Sequence, residues 1–182
     1  MFSKNSKISL AIACGRWHSF VAMKENNIFS PSLRFVVREG ESQYKVNKPT
    51  LDSPENLFQF FTDVVSTDEN YEAGKESLIL YCLNTRLELI GYSVVHVGTI
   101  NETNCNPAAI LRAALLSNSY AISISHGHPS GDPSPSQADR TCTQRLDEAC
   151  TMIGIRLIDH LITGEPAPGR QPFYSFRAAG QI

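Results

Sequence analysis

Two histidines and one aspartate in the segment SHGHPSGDPSPSQAD, residues 125–139, have the types and spacing of a metal site. His126 and His128 are two residues apart, and side chains at positions i and i+2 of an extended chain point to the same side. Gly127 between them has no side chain that would obstruct the imidazoles. The Pro, Gly and Ser residues that follow let the chain turn back, so that Asp139 can add a carboxylate. Two imidazoles and one carboxylate can hold zinc and leave a position for water.

The same segment also fits a structural interpretation. Ser136 and Asp139 have the S-x-x-D spacing of a capping box, in which Ser136 caps a helix and Asp139 lies near its positive end. The two interpretations are compatible, because the rigid start of a capped helix can also carry a metal ligand. A pair of histidines beside a Gly/Pro-rich loop and a carboxylate favours the metal site.

Strands and helices alternate irregularly in the sequence, which predicts an α/β fold of the α+β type, with a mixed central β-sheet flanked by helices. Residues 1–32 show no periodicity and are expected to form an irregular arm, and residues 33–48 alternate as a β-hairpin. Ser53 is predicted as the N-cap of the first helix and Pro54 as its first residue. The predicted helices cover residues 53–66, 106–119 and 136–154. The predicted strands cover residues 76–83, 87–98, 120–125 and 155–164, with a possible edge strand in 172–180.

Apolar spacing predicts the buried face of each helix. In the first helix the apolar stripe consists of Leu57, Phe60, Phe61, Val64 and Val65. In the second helix the buried side is assigned to Ala109 and to Leu111 through Leu116. In the third helix it is assigned to Ala138, Cys142, Leu146, Ala149, Cys150 and Ile153, with Gly154 ending the helix.

Length, charge and cysteine usage limit the classes of function. The chain has 182 residues, which is enough to bury a core without disulfides. A net charge of −2 and the lack of a dense Lys/Arg run do not support direct nucleic-acid binding. No apolar run is long enough for a membrane span, and the one ending at Cys14 is too short for a signal peptide. The five cysteines form no C-x-x-C pair and predict reduced thiols in a cytoplasmic protein.

The motif H-x-H-P-x6-S-x-x-D in residues 126–139 resembles the signature of the JAB/MPN (JAMM) family of metalloproteases. The longer match HGHPSGDPSPSQAD is similar to the RadC-like branch of that family. Three further segments resemble RadC-like sequences in the same order, namely VGTIN (97–101), SNSYAISISH (117–126) and DHLITG (159–164).

The resemblance covers about residues 50–178 and implies a JAB/MPN architecture, which is similar to that of cytidine deaminases. It divides the chain into an N-terminal arm and hairpin, residues 1–48, and a RadC-like JAB/MPN domain, residues 49–182. The motifs H-E-x-x-H and P-C-x-x-C are absent from the sequence, so helical zincins and zinc deaminases are excluded.

The resemblance also assigns roles to the residues of the motif. His126, His128 and Asp139 match the three zinc ligands, and Ser136 matches the serine that stabilises the oxyanion or the zinc-bound water. The implied reaction is hydrolysis of a peptide or isopeptide bond by water that zinc activates.

The family further needs an upstream glutamate at the start of a core strand as the general base. Glu76 opens the predicted strand ESLILYCL and matches this position. The alternative is that Glu76 is an ordinary charged residue at a strand edge. Glu72, in the preceding polar connection, and Glu88, beyond the next turn, are weaker candidates for the base.

Two positions depart from the family pattern. RadC-like proteins usually carry Asn between the two histidines, so Gly127 removes one hydrogen-bonding group and a looser loop is expected. The family's HPRE before the middle helix is replaced by CNPAA, residues 105–109, which implies a different choice of substrate. His160 in DHLITG could support a metal ligand, with a structural role as the alternative.

Three functions fit these observations. The first is a JAMM-type zinc hydrolase that acts on a peptide or protein substrate. The second is an accessory protein of DNA repair or mobile elements that binds DNA or a repair partner. The third, a metal-binding scaffold without catalysis, fits least well because all three ligands and a glutamate are present. The sequence specifies neither the substrate nor the oligomeric state.

Overall fold

A mixed five-stranded sheet forms the centre of the domain. The structure, a computed structural model, describes residues 48–68, 71–72, 74–97 and 106–182, so the predicted arm and hairpin, apart from Lys48, lie outside the described residues. The strands are β1 (Ser77–Leu83), β2 (Leu89–Val97), β3 (Ala121–Gly127), β4 (Arg156–Thr163) and β5 (Phe173–Ser175). The helices are α1 (Pro54–Asp63), α2 (Pro107–Leu116) and α3 (Gln137–Ile153), and a short 3-10 helix spans Val65–Thr67.

The strand order is β2-β1-β3-β4-β5, in which β3 and β4 are parallel and the other neighbours are antiparallel. The prediction of a mixed central sheet flanked by helices is therefore confirmed. All seven residues of β1 are buried, as its continuous apolar sequence predicted. Because β3 lies beside β1 and β4, the end of β3 is held on both sides.

Helix α1 covers one face of the sheet. The Ser53 hydroxyl accepts a hydrogen bond from the backbone N–H of Asn56 at 3.2 Å, so the predicted N-cap is confirmed. Leu57 and Phe61 are buried against residues of β1 such as Tyr81. The predicted apolar stripe is thus the face that packs on the sheet.

Helices α2 and α3 cover the opposite face. Ile110 and Ala113 of α2 pack with Leu146 of α3 and with the even-numbered apolar residues of β1 and β3. Leu115 and Leu116 are 59% and 66% exposed, so their assignment to the buried side is wrong. The apolar run of α2 continues around the helix, and spacing alone does not show which part of such a run faces the sheet.

The buried stripe of α3 consists of Asp139, Thr143, Leu146 and Cys150. The predicted stripe is therefore displaced by about one residue, since Ala138 is exposed and Ile153 is 41% exposed. The displacement arises because two of the four buried residues are polar, whereas apolar spacing selects apolar residues only. Gly154 ends the helix with a φ of 76°, as predicted.

Two further predictions concern the whole chain. No helix among the described residues is long and apolar enough to cross a membrane. Cys82 and Cys150 are buried free thiols. Cys142 is disulfide-bonded, so the prediction of reduced thiols is wrong for this residue.

Candidate metal centre

The end of β3 carries the two histidines of the motif. β3 continues two residues beyond its predicted end, to Gly127, so His126 lies inside the strand. Alternation along the strand places His126 on the same face as Ile124, which packs against the side covered by α3. The backbone N–H of His128 donates to the carbonyl of Thr163 on β4 at 3.0 Å. The backbone of both histidines is therefore fixed by strand pairing.

The start of α3 supplies the carboxylate. The Ser136 hydroxyl accepts from the backbone N–H of Asp139 at 3.1 Å, and the Asp139 carboxylate accepts from the backbone N–H of Ser136 at 2.8 Å. The predicted capping box is thus confirmed. The Ser136 hydroxyl also donates to Asp139 Oδ2 at 2.6 Å. These contacts hold the carboxylate against the sheet, where Asp139 is 5% exposed.

His126, His128 and Asp139 converge as the sequence predicted and form a group that could hold a metal ion. The two Nε2 atoms lie 3.1 Å apart, and Asp139 oxygens lie 3.1 Å from His126 Nε2 and 3.5 Å from His128 Nε2. A tetrahedral site with metal–ligand bonds of about 2.0–2.1 Å, the zinc–nitrogen length, separates its ligand atoms by about 3.3 Å. The donor types and the three separations therefore fit such a metal.

The electrostatics of the group favour a cation between the three side chains. Burial acts to raise the pKa of Asp139, but hydrogen bonds to His126 and His128 outweigh it and hold this pKa well below its ordinary value. The hydrogen bond to Asp139 raises the pKa of His128, and the negative charge of Glu76 acts in the same direction. The carboxylate thus stays ionised and attracts positive charge, in the form of a proton or a metal ion.

The outer nitrogen of His128 is fixed by the following loop. His128 Nδ1 lies 2.7 Å from the carbonyl oxygen of Asp132, which can only accept, so the ring proton is on Nδ1. In the neutral ring, Nε2 then presents its lone pair to the centre. Support of this kind on the second ring nitrogen is usual for histidines that bind metals.

The outer nitrogen of His126 faces a second buried histidine. His126 Nδ1 lies 2.9 Å from His160 Nε2, and His160 Nδ1 lies 2.6 Å from the Thr143 hydroxyl. The ring of Phe176 stacks on His160 at a centroid distance of 4.9 Å. Burial lowers the pKa of His160 well below its ordinary value, which keeps the ring neutral. His160 therefore contacts His126 directly, as its predicted role in supporting a metal ligand requires.

The loop between the histidines and α3 is anchored to the segment that follows β4. The Arg170 guanidinium donates to the carbonyl of Gly131 at 2.8 Å, and the backbone N–H of Glu165 donates to the same oxygen at 2.8 Å. A Cβ on Gly164 would lie 2.5 Å from that oxygen, so a side chain at this position would displace the loop. The return path from His128 to Asp139 is therefore defined by backbone contacts.

Glu76 immediately precedes β1, at the end of the sheet where β3 carries the histidines. Leu78 pairs with His126 at the end of the β1–β3 ladder, and continuing the same register by two residues leads from Glu76 to His128. Besides the hydrogen bond to Asp139, the negative charge of Glu76 raises the pKa of His128, which agrees with that position. Leu78 and Leu80 pack on the face covered by α3, and Glu76 has the same alternation. The structure thus places Glu76 beside the His126, His128 and Asp139 group.

The other two glutamates considered as bases lie elsewhere. Glu88 accepts from the Asn84 side chain at 2.7 Å in the turn that joins β1 to β2, at the opposite end of β1. Glu72 lies before Glu76 and forms an exposed ion pair with Lys75 at 2.6 Å. Their positions leave Glu76 as the glutamate beside the metal-binding group among these three.

Gly127 is held in a tightly packed part of the sheet. A Cβ at this position would lie 2.9 Å from the Tyr71 hydroxyl and 3.2 Å from Thr163 Oγ1. The expected loosening is not evident here, because Gly127 belongs to β3 and pairs with Thr163. The missing side chain instead leaves room for Tyr71 on the face of β3 opposite the histidines.

Thr143 was not recognised from the sequence. Its hydroxyl donates to the backbone carbonyl of Asp139 at 2.7 Å and contacts His160. The available signal was its position four residues after Asp139, which places both side chains on one helix face.

Comparison with known proteins agrees with this arrangement. The family model of the RadC-like JAB domain matches residues 51–181, most of the chain. The chain belongs to the RadC-like JAB domain family. The mixed sheet with three helices is consistent with the JAB/MPN architecture that the resemblance implied, and His126, His128 and Asp139 of the motif form a group that could hold a metal ion.

Several curated relatives are similar to this RadC-like chain. A UPF0758 protein of Thermotoga maritima is 33% identical over 132 residues, which cover 72% of this chain and 54% of that protein. The UPF0758 protein YfjY of Escherichia coli K12 is 42% identical over 108 residues, covering 59% of this chain and 64% of YfjY. The matches thus span between half and two thirds of these relatives. Their names state no activity.

Proposed function

We propose that this RadC-like domain is a zinc-dependent hydrolase of the JAMM type that cleaves a peptide or isopeptide bond. The observation that carries the proposal is the convergence of two Nε2 atoms and an ionised carboxylate, with Glu76 beside them. Membership in the RadC-like JAB family supports the same reaction class. The substrate is accordingly a peptide or protein.

Zinc is proposed as the metal because the ligands are two imidazoles and one carboxylate, a set typical of catalytic zinc sites with one position left for water. When bound, zinc supplies a water molecule whose pKa falls from about 15.7 to roughly 7. The side chains of His126 and Asp139 are almost fully buried, whereas that of His128 is 13% exposed. A substrate would therefore approach from the side of His128.

Glu76 is proposed as the general base. Its carboxylate would accept a proton from the attacking water and then donate it to the leaving amine, which needs a carboxylate on the same face of the sheet as the metal ligands. Ser136 is proposed to stabilise the oxyanion. Its hydroxyl proton is donated to Asp139 Oδ2 in this structure, so that role requires the hydroxyl to rotate away from Asp139.

The proposal is tested with a zinc-loaded protein and two sets of probes, a quenched fluorescent peptide library and peptides joined through a lysine isopeptide bond. Glu76→Gln is expected to lower the rate of cleavage by about 100-fold to 10,000-fold without changing the zinc content. Glu72→Gln is the matched control, because Glu72 is exposed and paired with Lys75, and it should keep the wild-type rate.

Two results would contradict the hydrolase proposal. One is wild-type cleavage by the Glu76→Gln protein. The other is a zinc-loaded wild type that cleaves no member of either probe set, which would favour the accessory-protein alternative.

A further inference from the structure

A chain of buried hydrogen bonds runs from His126 away from the metal-binding group and ends on the backbone of α3. His126 Nδ1 contacts His160 Nε2 at 2.9 Å, and His160 Nδ1 contacts Thr143 Oγ1 at 2.6 Å. Thr143 Oγ1 in turn lies 2.7 Å from the carbonyl oxygen of Asp139. His126, His160 and Thr143 are each 1% exposed. No step of the chain is therefore open to bulk water.

A neutral imidazole has one N–H donor and one acceptor nitrogen, so the protons along this chain must all point the same way. If His126 Nε2 binds a cation, its proton lies on Nδ1 and is donated to His160 Nε2. The proton of His160 then lies on Nδ1 and is donated to Thr143. The Thr143 hydroxyl finally donates to the Asp139 carbonyl, which is an acceptor only. In this arrangement, the metal-bound order, every donor of the chain has an acceptor.

Every donor of the chain also has an acceptor when the protons point the opposite way, which is the reverse order. Thr143 then donates to His160 Nδ1, His160 Nε2 donates to His126 Nδ1, and His126 Nε2 carries a proton directed at Asp139 Oδ1, 3.1 Å away. That proton occupies the place of the metal. The hydroxyl of Thr143 has an acceptor in both orders, because it can turn between His160 and the Asp139 carbonyl.

We propose that Thr143 and His160 are positioning residues that set the ring proton of His126, with the Thr143 hydroxyl as the group that turns when the metal binds. The proposal rests on the metal-binding part of the proposed function and not on catalysis. Loss of the hydroxyl affects the two orders unequally. In the metal-bound order it leaves the buried His160 Nδ1–H without an acceptor, whereas in the reverse order it leaves only an unused acceptor nitrogen. An unmet buried donor is the costlier defect.

The test compares Thr143→Val, which removes the hydroxyl at nearly constant volume, with Thr143→Ser, which keeps it. Zinc affinity is measured by competition with a chelator. Thr143→Val is expected to bind zinc about 10-fold to 100-fold more weakly, the usual effect of removing a residue that supports a ligand. Thr143→Ser should restore affinity to near the wild-type value, which simple loss of packing would not predict.

Nitrogen-15 NMR of the histidine rings gives a second readout that needs no variant and therefore does not depend on the folding of Thr143→Val. In the zinc-loaded wild type, His126 and His160 should both carry their proton on Nδ1. A proton on His160 Nε2 in that state, or wild-type affinity in folded Thr143→Val, would overturn the proposal. A wild type that binds no zinc would overturn it together with the metal site. If the ring protons lie on Nδ1 and the zinc affinities of the variants are as predicted, but the protein has no hydrolase activity, only the proposed function is overturned.

Discussion

The first and second halves of α3 bury side chains of opposite chemistry along one continuous face. In the first half, Asp139 and Thr143 are buried and held by hydrogen bonds to Ser136 and His160. In the second half, Leu146 and Cys150 pack among the apolar side chains of the sheet and α2. The comparison indicates that the two halves of α3 have different roles. The start of the helix carries part of the metal-binding group, and its end packs into the hydrophobic core.

The largest expected effect on stability comes from the second half. Leu146 is fully buried, and Leu146→Ala removes apolar contacts and leaves a cavity, which should lower the free energy of unfolding by about 2–5 kcal/mol. Urea denaturation measures this change. Zinc affinity of the folded variant should stay near the wild-type value, because Leu146 belongs to the apolar cluster of the sheet and α2. A large loss of zinc affinity in a folded variant would show that packing in the second half of α3 also determines metal binding at its start.

A smaller effect on stability is expected when the N-cap of α3 is removed. Ser136→Ala removes the hydroxyl that caps α3 and bonds Asp139 Oδ2, and Ser53→Ala removes the equivalent cap of α1 on the other face of the sheet. Each should lower the free energy of unfolding by about 1 kcal/mol. Only Ser136→Ala should also weaken zinc binding, measured by chelator competition. Equal zinc affinities in the two variants would contradict the role given to the Ser136 contact.

The smallest effect is expected at the exposed end of the second half. Met152 is 85% exposed, so Met152→Lys should change the free energy of unfolding by less than about 0.5 kcal/mol. It serves as the matched control for Leu146→Ala, since both residues lie in the same half of α3. A loss above 1 kcal/mol by urea denaturation would mean that Met152 is covered in the folded protein.

The same comparison explains how far the sequence predicts the structure. The apolar half of α3 follows the periodicity rule, and so do the stripe of α1 and the buried strand β1. The rule fails where polar residues are buried for a reason other than packing, and it therefore missed Thr143 and shifted the predicted face of α3. In α2 it failed for a different reason, because its apolar residues extend around the helix to the exposed Leu116.

The candidate site was more predictable than its surroundings. Strand alternation and a capped helix start are local rules, and they made a shared site of His126, His128 and Asp139 a reasonable expectation. The resemblance to the family then assigned all three residues as ligands. The contacts of His160 and Thr143 depend on how β4 and α3 pack, which no local pattern encodes. The position of Glu76 beside His128 depends likewise on the register of β1 against β3.

The measurement that tests the account most directly is elemental analysis of purified wild-type protein beside His126→Ala and Asp139→Ala. The account predicts about one zinc ion per wild-type chain and loss of that zinc in both variants while they remain folded, as circular dichroism would verify. A wild type that contains no metal and takes up none when zinc is added would contradict the metal centre and the hydrolase built on it.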